Sequence, residues 1–204
     1  MSTASPRIGI DRFVDADWME IAAAVVRGEA TEDALRSRLA GDISGLQVQR
    51  KVVGILNRMW QPQDAPRREV AVEAAVLAIG GHADRVAAFE AVAVCAYPYF
   101  RQVAENLGRL LRLQGSCTAG EVHRRMFELH GKRTTIDQAT SYCFKTMVSW
   151  GMVRRADDLR LVPADPLPLA TPGRQLLNRV ANLSRQSVSP MQATDPLLFP
   201  FRQS

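Results

Sequence analysis

The stretch "KRTTIDQATSYCFKTMVSWGMVRRADDLRLVP", residues 132–163, decides how the rest of the chain is read. A cationic step, Lys132-Arg133, leads into a run with helical period that stops at Gly151. Met152, Val153, Leu159 and Leu161 then alternate around Ala156-Asp157-Asp158, the pattern of a short two-stranded hairpin. In the helix, Ile136, Ala139, Cys143, Met147 and Trp150 share one face. Asp137, Gln138, Ser141, Tyr142, Lys145 and Ser149 are left facing outward. Thr135 with Gln138 three residues on predicts a capping box at its start.

Upstream, "TAGEVHRRMFELHG" carries the same device in Thr118 and Glu121 and ends at Gly131, so only "GKRT" separates the two helices. Before it, "YFRQVAENLGRLLRLQGS" places Phe100, Val103, Leu107, Leu110 and Leu111 at helical spacing. Helix, helix, tight turn, helix and hairpin is the order of a winged helix-turn-helix, expected over residues 99–163. Such a motif lays its second helix in a DNA groove, where outward side chains meet base edges and phosphates.

The expected nucleic-acid-binding set follows from that placement. Ser141, Tyr142 and Lys145 come first, and Gln138 second because a capping box would turn its amide back to Thr135. Lys132, Arg133 and Thr134 stand at the helix N-terminus, whose unpaired N–H groups favour phosphate. Arg154 and Arg155 fall on the wing. Arg124 and Arg125 on the preceding helix add possible contacts, one of them turned to the bundle.

Residues 1–98 read as an N-terminal helical bundle, about five helices punctuated by Gly and Pro. Asp17 with Glu20, and Thr31, are the expected N-caps, and Gly28 a C-cap. "GLQVQRKVVGILNRMWQP" sets Leu46, Val53, Leu56 and Trp60 on one stripe, and "QPQDAPRR" reads as a polar loop. "HADRVAAFEAVAVCA" is apolar enough to be the central helix. Residues 164–204 hold six of the eleven prolines and read as a tail with one short helix, Gly173 to Leu183. Beyond it, Leu197, Leu198, Phe199 and Phe201 suit a strap across the core or onto a partner subunit. The fold class is thus all-α, mainly helical, with one short β-hairpin.

Composition narrows the function. The 204 residues carry a net charge of +5, and Arg outnumbers Lys 23 to 3. Residues 1–99 are net −2, residues 100–162 net +5 and the remainder +2, so the basic excess begins near the predicted motif and points to a polyanionic partner. No apolar run approaches the roughly 20 residues of a membrane span, and "MSTASPRIGIDRF" lacks the apolar core of a signal peptide. Three cysteines, Cys95, Cys117 and Cys143, fit a reducing compartment, and a cytoplasmic protein is expected. Nucleotide-binding, metalloprotease and serine-hydrolase motifs are missing, so no enzyme and no cofactor is expected. Cys117, His123, His130 and Cys143 lie too far apart for the usual zinc pairs, so no metal is expected either.

The helices "IAAAVVRGEATEDALRSRLA" and "QRKVVGILNRMW", an apolar helix ending in "AYPYF", and "ATSYCFKTMVSWGMV" running into a basic hairpin form a sequence of elements. Over residues 15–163 this order resembles BrxA, the small helical family of bacterial BREX phage-exclusion systems. The resemblance implies a non-catalytic accessory protein of anti-phage defence that binds double-stranded DNA beside other proteins of the same system. The family has been likened to the NusB fold, which brings in RNA as a possible partner. An adaptor of a defence or transcription complex, and a helix-turn-helix regulator, remain the alternatives.

Overall fold

Side-chain caps and glycines set where each helix begins and ends in the computed structural model, which describes residues 8–183, 192 and 195–202. Helices α1 (Ala16–Arg27), α2 (Glu32–Asp42) and α3 (Leu46–Trp60) are followed by α4 (Ala65–Leu77) and α5 (His82–Ala96). Helices α6 (Pro98–Gln114), α7 (Ala119–His130) and α8 (Thr134–Ser149) lead into strands β1 (Val153–Arg155) and β2 (Leu161–Pro163). Helix α9 (Thr171–Leu183) and a 3-10 turn (Pro196–Leu198) follow, and the described residues are mainly helical.

Most caps stand where the sequence put them. Thr31 accepts from the Ala34 N–H, Gly28 closes α1 in the left-handed region, and Thr118 with Glu121 forms both bonds of its capping box. Three differ. Asp15, not Asp17, caps α1, because the extended segment before it holds Asp15 against α8. Asp64 caps α4 with Pro66 in the first turn, so half of the expected "QPQDAPRR" loop is helix. Leu46 is 68% exposed at the first residue of α3, where the stripe of Leu56 and Trp60 has run off the core.

The core is built around α5, whose residues Val86 to Val94 are all buried. Its Phe89 makes edge contacts with Trp60 of α3 (ring centroids 6.3 Å apart) and with Trp150 at the end of α8 (5.7 Å). Trp150 in turn lies against Phe100 of α6 at 5.6 Å. The buried apolar side chains of residues 1–98 and of 99–163 therefore form one continuous cluster.

Helix α9 packs on α4 and α5, beginning at Thr171, two residues before the expected start. The described part of the tail crosses α6 of its own chain, burying Leu197, Leu198 and Phe201. Residues 184–191, 193 and 194 of the expected extended tail lie outside the described residues. The crossing point is Gly108, where a Cβ would overlap the Pro196 carbonyl oxygen. The Gly108→Ala variant is accordingly expected to lose about 1–3 kcal/mol in urea unfolding, despite the gain in helix propensity.

Beside the strap, Glu90 of α5 is fully buried and neither carboxyl oxygen has a hydrogen-bond partner. Burial pushes this carboxyl well above its usual 4.5, and the charge of Asp195 on the strap acts in the same direction. Above 4.5 the unfolded chain releases a proton that the folded chain still holds, so stability falls as pH rises. Stability–pH curves of wild type and Glu90→Gln should diverge on the alkaline side, with the variant flatter.

Candidate nucleic-acid interface

Helix α8 is held from below by three sets of contacts. At its start, the buried Tyr99 of α6 donates to the Ile136 carbonyl (3.1 Å) or to Thr140 Oγ1 (2.7 Å). At its end, Trp150 Nε1 donates to the Val14 carbonyl at 3.1 Å. Between them runs the segment before α1: the Val14 N–H donates to Thr146 Oγ1 and the Ala16 N–H to Ser149 Oγ, each at 3.0 Å. Ser149 Oγ donates onward to Asp15 at 3.0 Å. The predicted inward residues Ile136, Ala139, Cys143, Met147 and Trp150 are all buried, and Phe144 joins them.

Besides the exposed Thr135 and Asp137, what remains outward is a stripe at i, i+4, i+7 and i+11: Thr134, Gln138, Ser141 and Lys145. Ser141 is half-buried and the other three are exposed. The expected Thr135–Gln138 capping box does not form. The N-cap of α8 falls two residues earlier, on the extended Arg133, and no side chain caps the first turn. Gln138 is thereby released from the backbone and belongs with Ser141 and Lys145. The uncapped N–H groups of that turn favour an anion beside exposed Lys132.

The other predicted residues divide by environment. Arg133 is exposed but donates to the His130 carbonyl at 2.8 Å, closing the end of α7. Tyr142 is half-buried at the edge of the stripe, with Arg12 (5.8 Å) and Lys145 (5.7 Å) over its ring. Arg124 is exposed on α7 while Arg125 is half-buried. Arg154 and Arg155 are both exposed on β1, and Val153 beside them is buried.

The hairpin that carries them is antiparallel, pairing Val153 with Pro163 and Arg155 with Leu161. Its turn puts Leu159 in the left-handed region at φ 63°. Sequence reasoning missed its anchor. Cys117, between α6 and α7, exchanges two backbone hydrogen bonds with Leu161 (2.9 and 2.7 Å), so β2 lies between β1 and a one-residue third strand. Arg160 adds a bond to Ser116 Oγ at 2.8 Å. A single bridging residue leaves no period in the sequence.

His123 of α7 was also missed as a positioning residue. Its Nδ1 lies 3.0 Å from Asp137 Oδ1, out of line for a hydrogen bond, and its Nε2 lies 3.4 Å from Ser141 Oγ. The ring thus sits between α7 and the only acid of α8. Burial pulls His123 below 6.5, against the opposing pull of Asp137, and burial with Arg133 pulls His130 down too. Cys117 is pushed up to about 11 by burial and Cys143 higher still, which makes both poor nucleophiles and poor metal ligands. Among the described residues no group of three His, Cys, Asp or Glu side chains is placed to hold a metal ion.

A depressed histidine stabilises the fold in its neutral form, and that contribution fades as pH falls from 6.5 toward the folded pKa. In thermal melts between about pH 7.5 and 5.5, His123→Gln should show a smaller loss of stability on acidification than wild type. Equal slopes would mean that the imidazole titrates as it does in solvent.

Compared with protein families, curated proteins and solved structures, the chain matches none.

Proposed function

We propose that the protein is a non-catalytic accessory factor that grips duplex DNA through a winged helix-turn-helix made by α6, α7, α8 and the β1–β2 hairpin. The observation that carries the reading is the α8 stripe. Gln138, Ser141 and Lys145 supply an amide, a hydroxyl and a cation on a helix whose opposite face is locked into the core. Lys132 and Arg133 stand at its start, and exposed Arg154 and Arg155 follow its end. Charges at both ends of the helix suit two backbone contacts flanking one groove contact. The strand order, with β2 between Cys117 and β1, fits the three-stranded sheet of a winged helix.

The resemblance of residues 15–163 to BrxA supplies the setting, a cytoplasmic anti-phage system of the BREX type, and keeps RNA as a competing ligand. A second reading, an adaptor, has its own observation. Val72, Val76 and Ile79 recur at i, i+4 and i+7 on and just past α4, and are 51%, 61% and 63% exposed. That apolar stripe suits a protein partner of the same system.

Duplex binding across a salt series separates the two readings. Affinity should fall with added salt at a log–log slope of about −0.9 per phosphate contact. Arg154→Ala/Arg155→Ala should bind more weakly with a slope shallower by about 1.8, and Lys145→Ala should weaken binding without unfolding the chain. Lack of duplex binding at about 100 mM salt would leave the adaptor reading, and equal affinity in all variants would remove α8 and the hairpin as the contact surface.

A further inference from the structure

A second charged surface adjoins α8 on the side away from α7. There the segment before α1 and helix α3 meet the first half of α8 around an open cleft of roughly 450 Å³. Lys51 and Arg58 enter it from one face of α3, Arg12 from the segment before α1, and Gln138 from the α8 stripe. Among the described lining residues the only carboxylate is Asp11, which lies 3.4 Å from both Lys51 and Arg12 and is half exposed. The cleft therefore keeps two uncompensated positive charges.

The shape of α3 gives an independent reason to look for a ligand. Between Lys51 and Arg58 its floor is Gly54, which is exposed, and nothing lies within 4 Å of where its Cβ would stand. Glycine is a poor choice inside a helix, and here neither a close neighbour nor a left-handed backbone calls for it. Without a side chain at this position a bulky anionic ligand can rest on the helix backbone between the two cations. Because Gln138 belongs to both the cleft and the α8 stripe, one ligand can span the two surfaces.

We infer that this cleft binds the sugar–phosphate backbone of the duplex whose groove faces α8, with Lys51, Arg58 and Arg12 as its phosphate contacts and Gly54 as the space it occupies. This rests on the DNA-binding reading and extends it, since sequence analysis placed every contact after residue 123. It also explains why a net-acidic N-terminal half keeps cations on this face of α3. Asp11 competes with phosphate for Lys51 and Arg12 and so limits the grip.

The test uses the full chain and a fluorescein-labelled random-sequence duplex of about 20 base pairs, long enough to cover two flanking backbones. Lys51→Ala/Arg58→Ala should weaken binding and make the salt slope shallower by about 1.8. Gly54→Gln, which fills the cleft without changing charge, should melt no lower than wild type yet bind several-fold more weakly. Asp11→Asn should bind more tightly with a steeper slope. If wild type binds and the wing variants weaken it, while these three variants bind like wild type, the cleft is overturned and the α8 reading stands. If only the cleft variants lose affinity, the duplex lies on α3 and the α8 reading falls instead. A wild-type chain that binds no duplex overturns both.

Discussion

The indole of Trp150 is the point on which the two parts of the chain meet. It ends α8, makes ring contacts with Phe89 of α5 and Phe100 of α6, and donates its N–H to the Val14 carbonyl. Burying an aromatic of this size removes about 150–250 Å² from water, worth up to about 4–6 kcal/mol at 25 cal/mol/Å². Each of the hydrogen bonds from Val14 and Ala16 to α8 contributes about 1 kcal/mol. Aromatic packing therefore sets where α8 sits. The polar contacts, which are directional, set how it is turned, and so decide which stripe is left for a ligand.

Electrostatics at that stripe are arranged by position more than by charge number. The acid of α8, Asp137, lies at its α7 edge beside His123, and the basic residues lie toward both ends. Exposed ion pairs add little to stability, so these charges are inexpensive to keep. The exposed Gly54 is the reverse case, costing α3 about 1 kcal/mol with no return in packing, whereas the left-handed Leu159 is offset by closing the hairpin turn through its N–H to the Ala156 carbonyl.

How much was legible follows from which signals are local. The inward face of α8, the capping box of Thr118 and Glu121, the centrality of α5 and the burial of Leu197, Leu198 and Phe201 are written in periods and caps, and the structure has them. The Thr135 cap of α8 was misread because the N-cap place goes to Arg133, which is pinned to the end of α7 and leaves the first turn without a side-chain cap. Cys117, His123, Arg12 and the α3 cleft were invisible for a different reason. Each acts through a partner far along the chain, Arg12 through Tyr142 and Cys117 through Leu161, and no single-sequence pattern carries that pairing.

The central claim is that the outward stripe of α8 and the hairpin together form the nucleic-acid face. Hydrogen–deuterium exchange of the full chain, with and without a saturating duplex, tests it most directly. The account predicts slower exchange across residues 132–145 and 153–155 on adding DNA, with α4 and α9 unchanged. Protection confined to α4 around Val72 and Val76, or none at all along α8 under conditions where the duplex is bound, would contradict it.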